Sequence, residues 1–167
     1  GNLNPYQLSS SDFDIAFLTP VLVKGATKMD VGDLSDYFAG VPPVLAVRVT
    51  PKLTESLWTT IARGAAYTQG AALPAIKHFK PGFSRMRASC GDVELTPIHA
   101  FVLERRVSET DATREGLYIF DPQAFGPHCT SVTLVLYSEK EPAKGDTKLV
   151  DPRVLQQIWQ DFAPYRE

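Results

Sequence analysis

Apolar and polar residues alternate with a period of two through much of this chain. In SRMRASC, residues 84–90, Met86, Ala88 and Cys90 alternate with Arg85, Arg87 and Ser89. Successive strand side chains point to opposite faces, so this spacing predicts a strand with one face on a core and the other in water. SVTLVLYS, residues 131–138, places Val132, Leu134 and Leu136 on one side. Val135 and Tyr137 lie on the other, which implies that both faces are partly covered. DFDIAFLTPVLV (12–23) and PPVLAVRVTP (42–51) are dense in β-branched and aromatic residues and read as strands, the first broken near Pro20. VELTPIHAFVLERRV (93–107) reads as a long extended segment and GLYIFDP (116–122) as another strand. Thr19-Pro20, Thr50-Pro51 and Thr96-Pro97 each follow apolar residues. Proline brings no donor to a ladder, so each pair predicts a bend or an interruption.

The period shifts towards 3.6 in three places. In VGDLSDYFAG (31–40), Asp33 is a candidate N-cap for one or two helical turns carrying Leu34, Tyr37 and Phe38. In TESLWTTIARGAAY (54–67), Leu57, Ile61 and Ala65 share a face behind Thr54, for a helix ending before Gly70. At the C-terminus, Asp151 and Pro152 open a helix whose stripe is Val154, Leu155, Ile158, Trp159 and Phe162, ending by Pro164. Residues 69–82 show no period and read as a long loop. SETDATRE (108–115), AFGPHCTS (124–131) and EKEPAKGD (139–146) read as further connections. The prediction is a mainly β fold: a two-layer antiparallel β-sandwich with a C-terminal amphipathic helix and one or two short helices. A two-layer α+β arrangement is the alternative.

Composition narrows the function classes. The 167 residues are 44% apolar and 22% charged, the usage of an ordinary globular chain, and the length suits a single domain over 1–167. A formal charge of −2 gives no field that attracts a polyanion, so nucleic acid is not an expected partner. No apolar run approaches the roughly 18 residues of a membrane span. Association with a membrane is therefore expected only through an anchor preceding residue 1.

Cys90 and Cys129 are the two cysteines. An even pair in an otherwise cysteine-poor chain predicts one disulfide, and with it an extracytoplasmic setting: periplasmic, secreted or lipid-anchored. A metal site would need Cys90, His99, His128 and Cys129 to converge, yet the chain has no CxxC or HxxxH spacing. No metal or cofactor is expected. Enzymatic action is left open and disfavoured, because the common hydrolase, nucleotide and oxidoreductase motifs are missing; a small hydrolase using Cys90 and His99 is the enzyme alternative. His99 is expected to be partly buried and bonded to a carbonyl, with His78 and His128 solvated in loops.

KHFKPGFSRMR, residues 77–87, interleaves Lys77, Lys80, Arg85 and Arg87 with Phe79 and Phe83 and contains no acid. Cations beside exposed rings are what an anionic ligand requires, so Lys77, Phe79, Lys80, Arg85, Arg87 and His99 form the candidate ligand-binding set. The expected function is binding of an unknown protein or an anionic small ligand by a non-catalytic domain.

Overall fold

The computed structural model describes residues 6–19, 44–52 and 75–165. The helices expected within 31–40 and 54–69, and the strand expected beyond Pro20, fall outside these residues. The described chain is mainly β, with two sheets and a C-terminal helix. The first sheet contains β1 (Gln7–Ser9), β2 (Phe13–Leu18), β3 (Leu45–Pro51), β4 (His78–Phe79), β7 (His99–Arg106) and β8 (Asp111–Phe120). The second contains β5 (Phe83–Cys90), β6 (Val93–Leu95), β9 (Val132–Ser138) and β10 (Gly145–Leu149), in the order β10-β9-β5-β6. Every pairing is antiparallel except β4 with β8, which is parallel.

β8 organises the first sheet. One of its edges is taken along the strand's length by β7, and the other is shared by β3 on residues 116–120 and β4 on residues 111–112. The sequence reading of 108–115 as a polar connection is corrected here, because residues 111–115 are the first half of this strand. Thr113 and Glu115 are buried there. Glu115 meets Arg48 Nη2 at 3.1 Å and Arg105 Nη1 at 3.7 Å, and Thr113 Oγ1 donates to the Lys80 carbonyl at 3.2 Å. Burial of polar groups is tolerable when such partners are supplied, and here they come from three other segments of the chain. Two further corrections concern short elements. β4 lies inside the expected 69–82 loop, held by bonds from Lys77 N–H to Thr110 O and from Lys80 N–H to Ala112 O. β10 begins inside the expected charged loop, at Gly145.

The period-2 pattern assigns the faces correctly. Phe13, Ile15 and Phe17 of β2, Leu45, Val47 and Val49 of β3, and Tyr118 and Phe120 of β8 meet Phe83, Met86 and Ala88 of β5 and Val132, Leu134 and Leu136 of β9 in one core. Leu18, Ala46, Leu117 and Ile119 form a second apolar cluster on the other face of the first sheet. The sheets touch most intimately where the Phe83 ring lies on Gly116. A Cβ added at Gly116 would stand 2.4 Å from that ring. Phe83 also meets Phe13 and Tyr118 edge-on, each at 5.9 Å between ring centroids. The Tyr118 hydroxyl accepts a 2.9 Å bond from the Met86 N–H, tying the two sheets through a polar contact within the apolar core.

Thr96-Pro97 does more than kink a strand. β6 belongs to the second sheet and β7 to the first, so the chain changes sheets at this proline. The Gly91-Asp92 turn before it is a two-residue hairpin loop joining paired Cys90 and Val93, with Gly91 at φ 58°. Such loops place a left-handed residue at their first position, where glycine pays no Cβ penalty.

α1 (Pro152–Asp161) starts as its sequence predicts. The Asp151 side chain accepts the Arg153 N–H at 2.8 Å, and Val154, Leu155, Ile158 and the capping Phe162 are buried in the core. Cys90 and Cys129 are joined in a disulfide, linking the end of β5 to the loop that enters β9, with Cα atoms 5.7 Å apart. The bond closes a ring over a sequence separation of 39 residues.

Two stability effects follow. Gly116→Ala is expected to cost about 1–3 kcal/mol through the overpacked Phe83 ring, seen as a lower urea midpoint with an unchanged slope. Replacing both Cys90 and Cys129 with alanine is expected to cost up to about 4 kcal/mol in chain entropy. The same urea titration, run on the oxidised protein and the double variant, measures it.

Candidate binding surface

β7, with Ile98 just before it, carries four of the seven large apolar side chains exposed among the described residues. It follows Pro97 and pairs with β8 from His99 opposite Ile119 to Arg106 opposite Ala112, without a register shift. The hairpin is closed by Ser108, whose Oγ accepts the N–H groups of Thr110 and Asp111 at 3.3 and 2.9 Å. Arg106 reaches the Glu109 carbonyl across the same turn, and Val107 anchors it by being fully buried.

The bond from Val107 N–H to Asp111 O, 2.9 Å, sets the alternation of the ladder. In an antiparallel pair, opposite residues alternate between exchanging both hydrogen bonds and exchanging none. The odd-numbered residues of β7 therefore bond to β8, and the N–H and C=O groups of Ala100, Val102, Glu104 and Arg106 point away from the sheet. Along this edge Ile98 is 52% exposed, Phe101 38%, Val102 51% and Leu103 37%. Phe101 and Leu103 lie on one face of the strand and Val102 on the other, so the exposure wraps around the edge rather than covering one side.

Natural edge strands are normally blunted by lysine, proline, a bulge or very short length. β7 runs for eight residues with no proline or lysine within it. Its charged groups are gathered at one end, as Glu104, Arg105 and Arg106, and Arg105 is drawn towards the buried Glu115.

The residues singled out from sequence are distributed differently. Arg85 and Arg87 share the solvent face of the second sheet. The Arg85 guanidinium stacks on the Tyr137 ring at 4.1 Å, and Arg87 pairs with Glu94 at 3.2 Å, the main cause of the upward shift in its pKa. Lys77, Phe79 and Lys80 lie in and around β4 on the first sheet, where Phe79 supports the Arg114 guanidinium at 4.4 Å. His99 stands at the other end of β8, eight residues from the β4 pairing, or about 27 Å along a strand. The structure thus joins Arg85 with Arg87 on β5 and sets His99 apart from Lys77, Phe79 and Lys80. Two histidine expectations are also corrected. His99 is exposed beside the Phe101 ring, at 5.8 Å, because β7 overhangs the core, and His78 sits exposed in β4 rather than in a loop. His128 is exposed in a loop, as expected.

Other arrangements offer less chemistry. Cys90 is held in the disulfide and has no thiolate to pair with His99. Among the described residues, no group of three or more His, Cys, Asp or Glu side chains is gathered to hold a metal ion, and no helix is long and apolar enough to cross a membrane. A groove of about 250 Å³ runs between the 125–130 loop and α1, walled by Phe125, Pro127, Cys129, Leu155 and Trp159. It is smaller than the 300–1,000 Å³ usual for ligand pockets, and among the described residues that wall it there is no acid or base.

The buried carboxylate of Asp161 is fully engaged in tying the chain's ends together. Its Oδ2 accepts from Tyr6 Oη at 2.6 Å and Thr19 Oγ1 at 2.7 Å, and its Oδ1 from Gln157 Nε2 at 2.9 Å. Comparison with known protein families, curated proteins and solved structures finds no match to this chain.

The exposed edge was hidden in the sequence. HAFVL reads as an apolar run to be buried, and nothing local marks it as the outermost strand. The available signal was Pro97 in front of it together with the tight polar turn behind it.

Burial, and then the hydrogen bond to Asp161, push the Tyr6 phenol from 10.0 up to about 12. Between those values the unfolded chain has lost a proton that the folded chain keeps. The stability from this contact is therefore complete below pH 10 and falls as pH rises towards 12. Tyr118 is also raised, chiefly by burial. Tyr6→Phe is accordingly expected to remove part of the alkaline loss of stability and leave part, as read from urea midpoints across that interval.

Proposed function

We propose that this chain is an extracytoplasmic domain that acts by binding rather than catalysis, capturing an extended segment of a protein partner as a strand added to β7. One observation carries the reading: an eight-residue edge strand, regular in register, with Ile98, Phe101, Val102 and Leu103 exposed along it. Strand addition uses main-chain bonds for affinity and alternate side chains for selection. The outward N–H and C=O groups of Ala100, Val102, Glu104 and Arg106 supply the first. Phe101 and Leu103 on one face and Val102 on the other supply the second. The preferred segment has apolar residues at its centre, opposite 101–103.

The cellular setting is supported by the disulfide, since such bonds persist in oxidising compartments and are rare in the cytosol. Binding is favoured over catalysis by what stands near the exposed strand. The Cys90 thiol that a hydrolase would pair with His99 is taken up in the disulfide, and the described residues walling the apolar groove near α1 include no titratable group.

A random peptide library selected against the oxidised protein tests the reading. Selected peptides are expected to slow hydrogen exchange at the amides of Ala100, Val102, Glu104 and Arg106. Protection confined to the second sheet or to the α1 groove would overturn it.

A further inference from the structure

We infer that the strand completing this edge is β7 of a second copy of the chain, paired antiparallel about a two-fold axis at Val102. The inference rests on the strand-addition reading above and names its partner. The argument is one of self-complementarity.

A two-fold axis perpendicular to the sheet keeps each face of β7 on the matching face of its copy. Residues opposite one another must then share parity, and the even residues, whose backbone groups point outward, must be the ones that exchange bonds. Any axis placed at a residue meets both conditions, so the side chains decide the register. With the axis at Val102, that residue pairs with its own copy, and Ala100 pairs with the second copy's Glu104. The close, non-bonded pairs between them bring Phe101 against the second copy's Leu103 on both sides of the axis. The apolar triplet thus covers itself, on both faces of the sheet.

Neighbouring registers fit less well. An axis at Glu104 sets two carboxylates opposite each other, a destabilising pairing across strands. An axis at Leu103 sets Val102 against Glu104 and Phe101 against Arg105. The Ile98 N–H is already committed to the Ile119 carbonyl at 2.7 Å, so an axis at Phe101 leaves only the Ala100–Val102 pairs to exchange bonds, whereas an axis at Val102 keeps the Val102–Val102 pair and both Ala100–Glu104 pairs. In the Val102 register no acid faces an acid. Arg105 lies opposite His99, its charge turned towards Glu115 of its own copy. The charged end of each strand is thus carried away from the charged end of the other. Two exposed apolar edges of this kind remove each other from water, and the first sheets of the two copies become one continuous sheet.

Sedimentation equilibrium of the full oxidised chain over a wide concentration range tests the inference, with hydrogen exchange measured at both ends of that range. The expected result is a monomer–dimer equilibrium, with exchange at Ala100, Val102 and Glu104 slowing as the dimer forms. Val102→Lys places two ammonium groups together at the axis and is expected to weaken the dimer by about 100-fold or more. Val102 is half exposed, so circular dichroism and the urea midpoint of that variant should match the parent. Phe101→Asp is the second variant, expected to act in the same direction. A chain that remains monomeric throughout overturns the inference, and so does a dimer indifferent to both substitutions. Strand capture itself fails separately, through the peptide selection: a monomeric chain whose selected peptides protect β7 rejects the second copy and retains the edge.

Discussion

The Phe83 ring resting on Gly116 is the contact on which the arrangement of the two sheets depends. Only a residue without a side chain at 116 lets the ring of one sheet reach the backbone of the other, and Phe13 and Tyr118 then close on the ring edge-on. That close approach brings the Tyr118 hydroxyl within 2.9 Å of the Met86 N–H. A register shift between Phe83 and Arg85 in the pairing with β9 lies beside this contact and lets both Phe83 and Met86, three residues apart, face the core. Beyond the shift, Met86 and Ala88 remain inward while Arg85 and Arg87 stay in water.

β8 is an interior strand of the first sheet, paired by β3 and β4 on one edge and by β7 on the other, and β7 is its outer neighbour among the described residues. β8 is buried along almost its whole length, and β7 follows it with residues 99–104 exposed. The result is a strand with full hydrogen bonding on one side and little beneath its side chains. The ion pairs of Glu115 with Arg48 and Arg105 reinforce this layout. A carboxylate buried between two guanidiniums links β3, β8 and β7 in register, and removing either partner leaves charge in a place poorly served by water.

What the sequence revealed follows the reach of each interaction. The cores of β2, β3, β5 and β9 were legible because alternation is local and one face of each is dry. α1 was legible because Asp151 and Pro152 announce its start within the chain itself. The first half of β8 was not, since Thr113 and Glu115 look like loop residues until Lys80, Arg48 and Arg105 arrive from elsewhere to satisfy them. β10 escaped for a related reason: its alternation is weak, and Leu149 is 60% exposed at the edge of a sheet. The basic run at 77–87 looked like one surface because its residues are adjacent in sequence. The chain passes from one sheet to the other between Phe79 and Phe83, so the run divides into Lys77, Phe79 and Lys80 around β4 and Arg85 with Arg87 on β5. The edge character of β7 was illegible in principle, because an outermost strand is defined by what does not pack on it.

The disulfide encloses β6, β7 and β8, including the passage from one sheet to the other at Pro97. A protease that cut once in the exposed turn near Glu109 would leave both pieces covalently attached through sulfur, each still contributing strands to both sheets. The cut molecule would keep its mass until a reductant opened the ring. Such a loop turns a single scission from a loss of β7 into a silent nick wherever the disulfide stays oxidised.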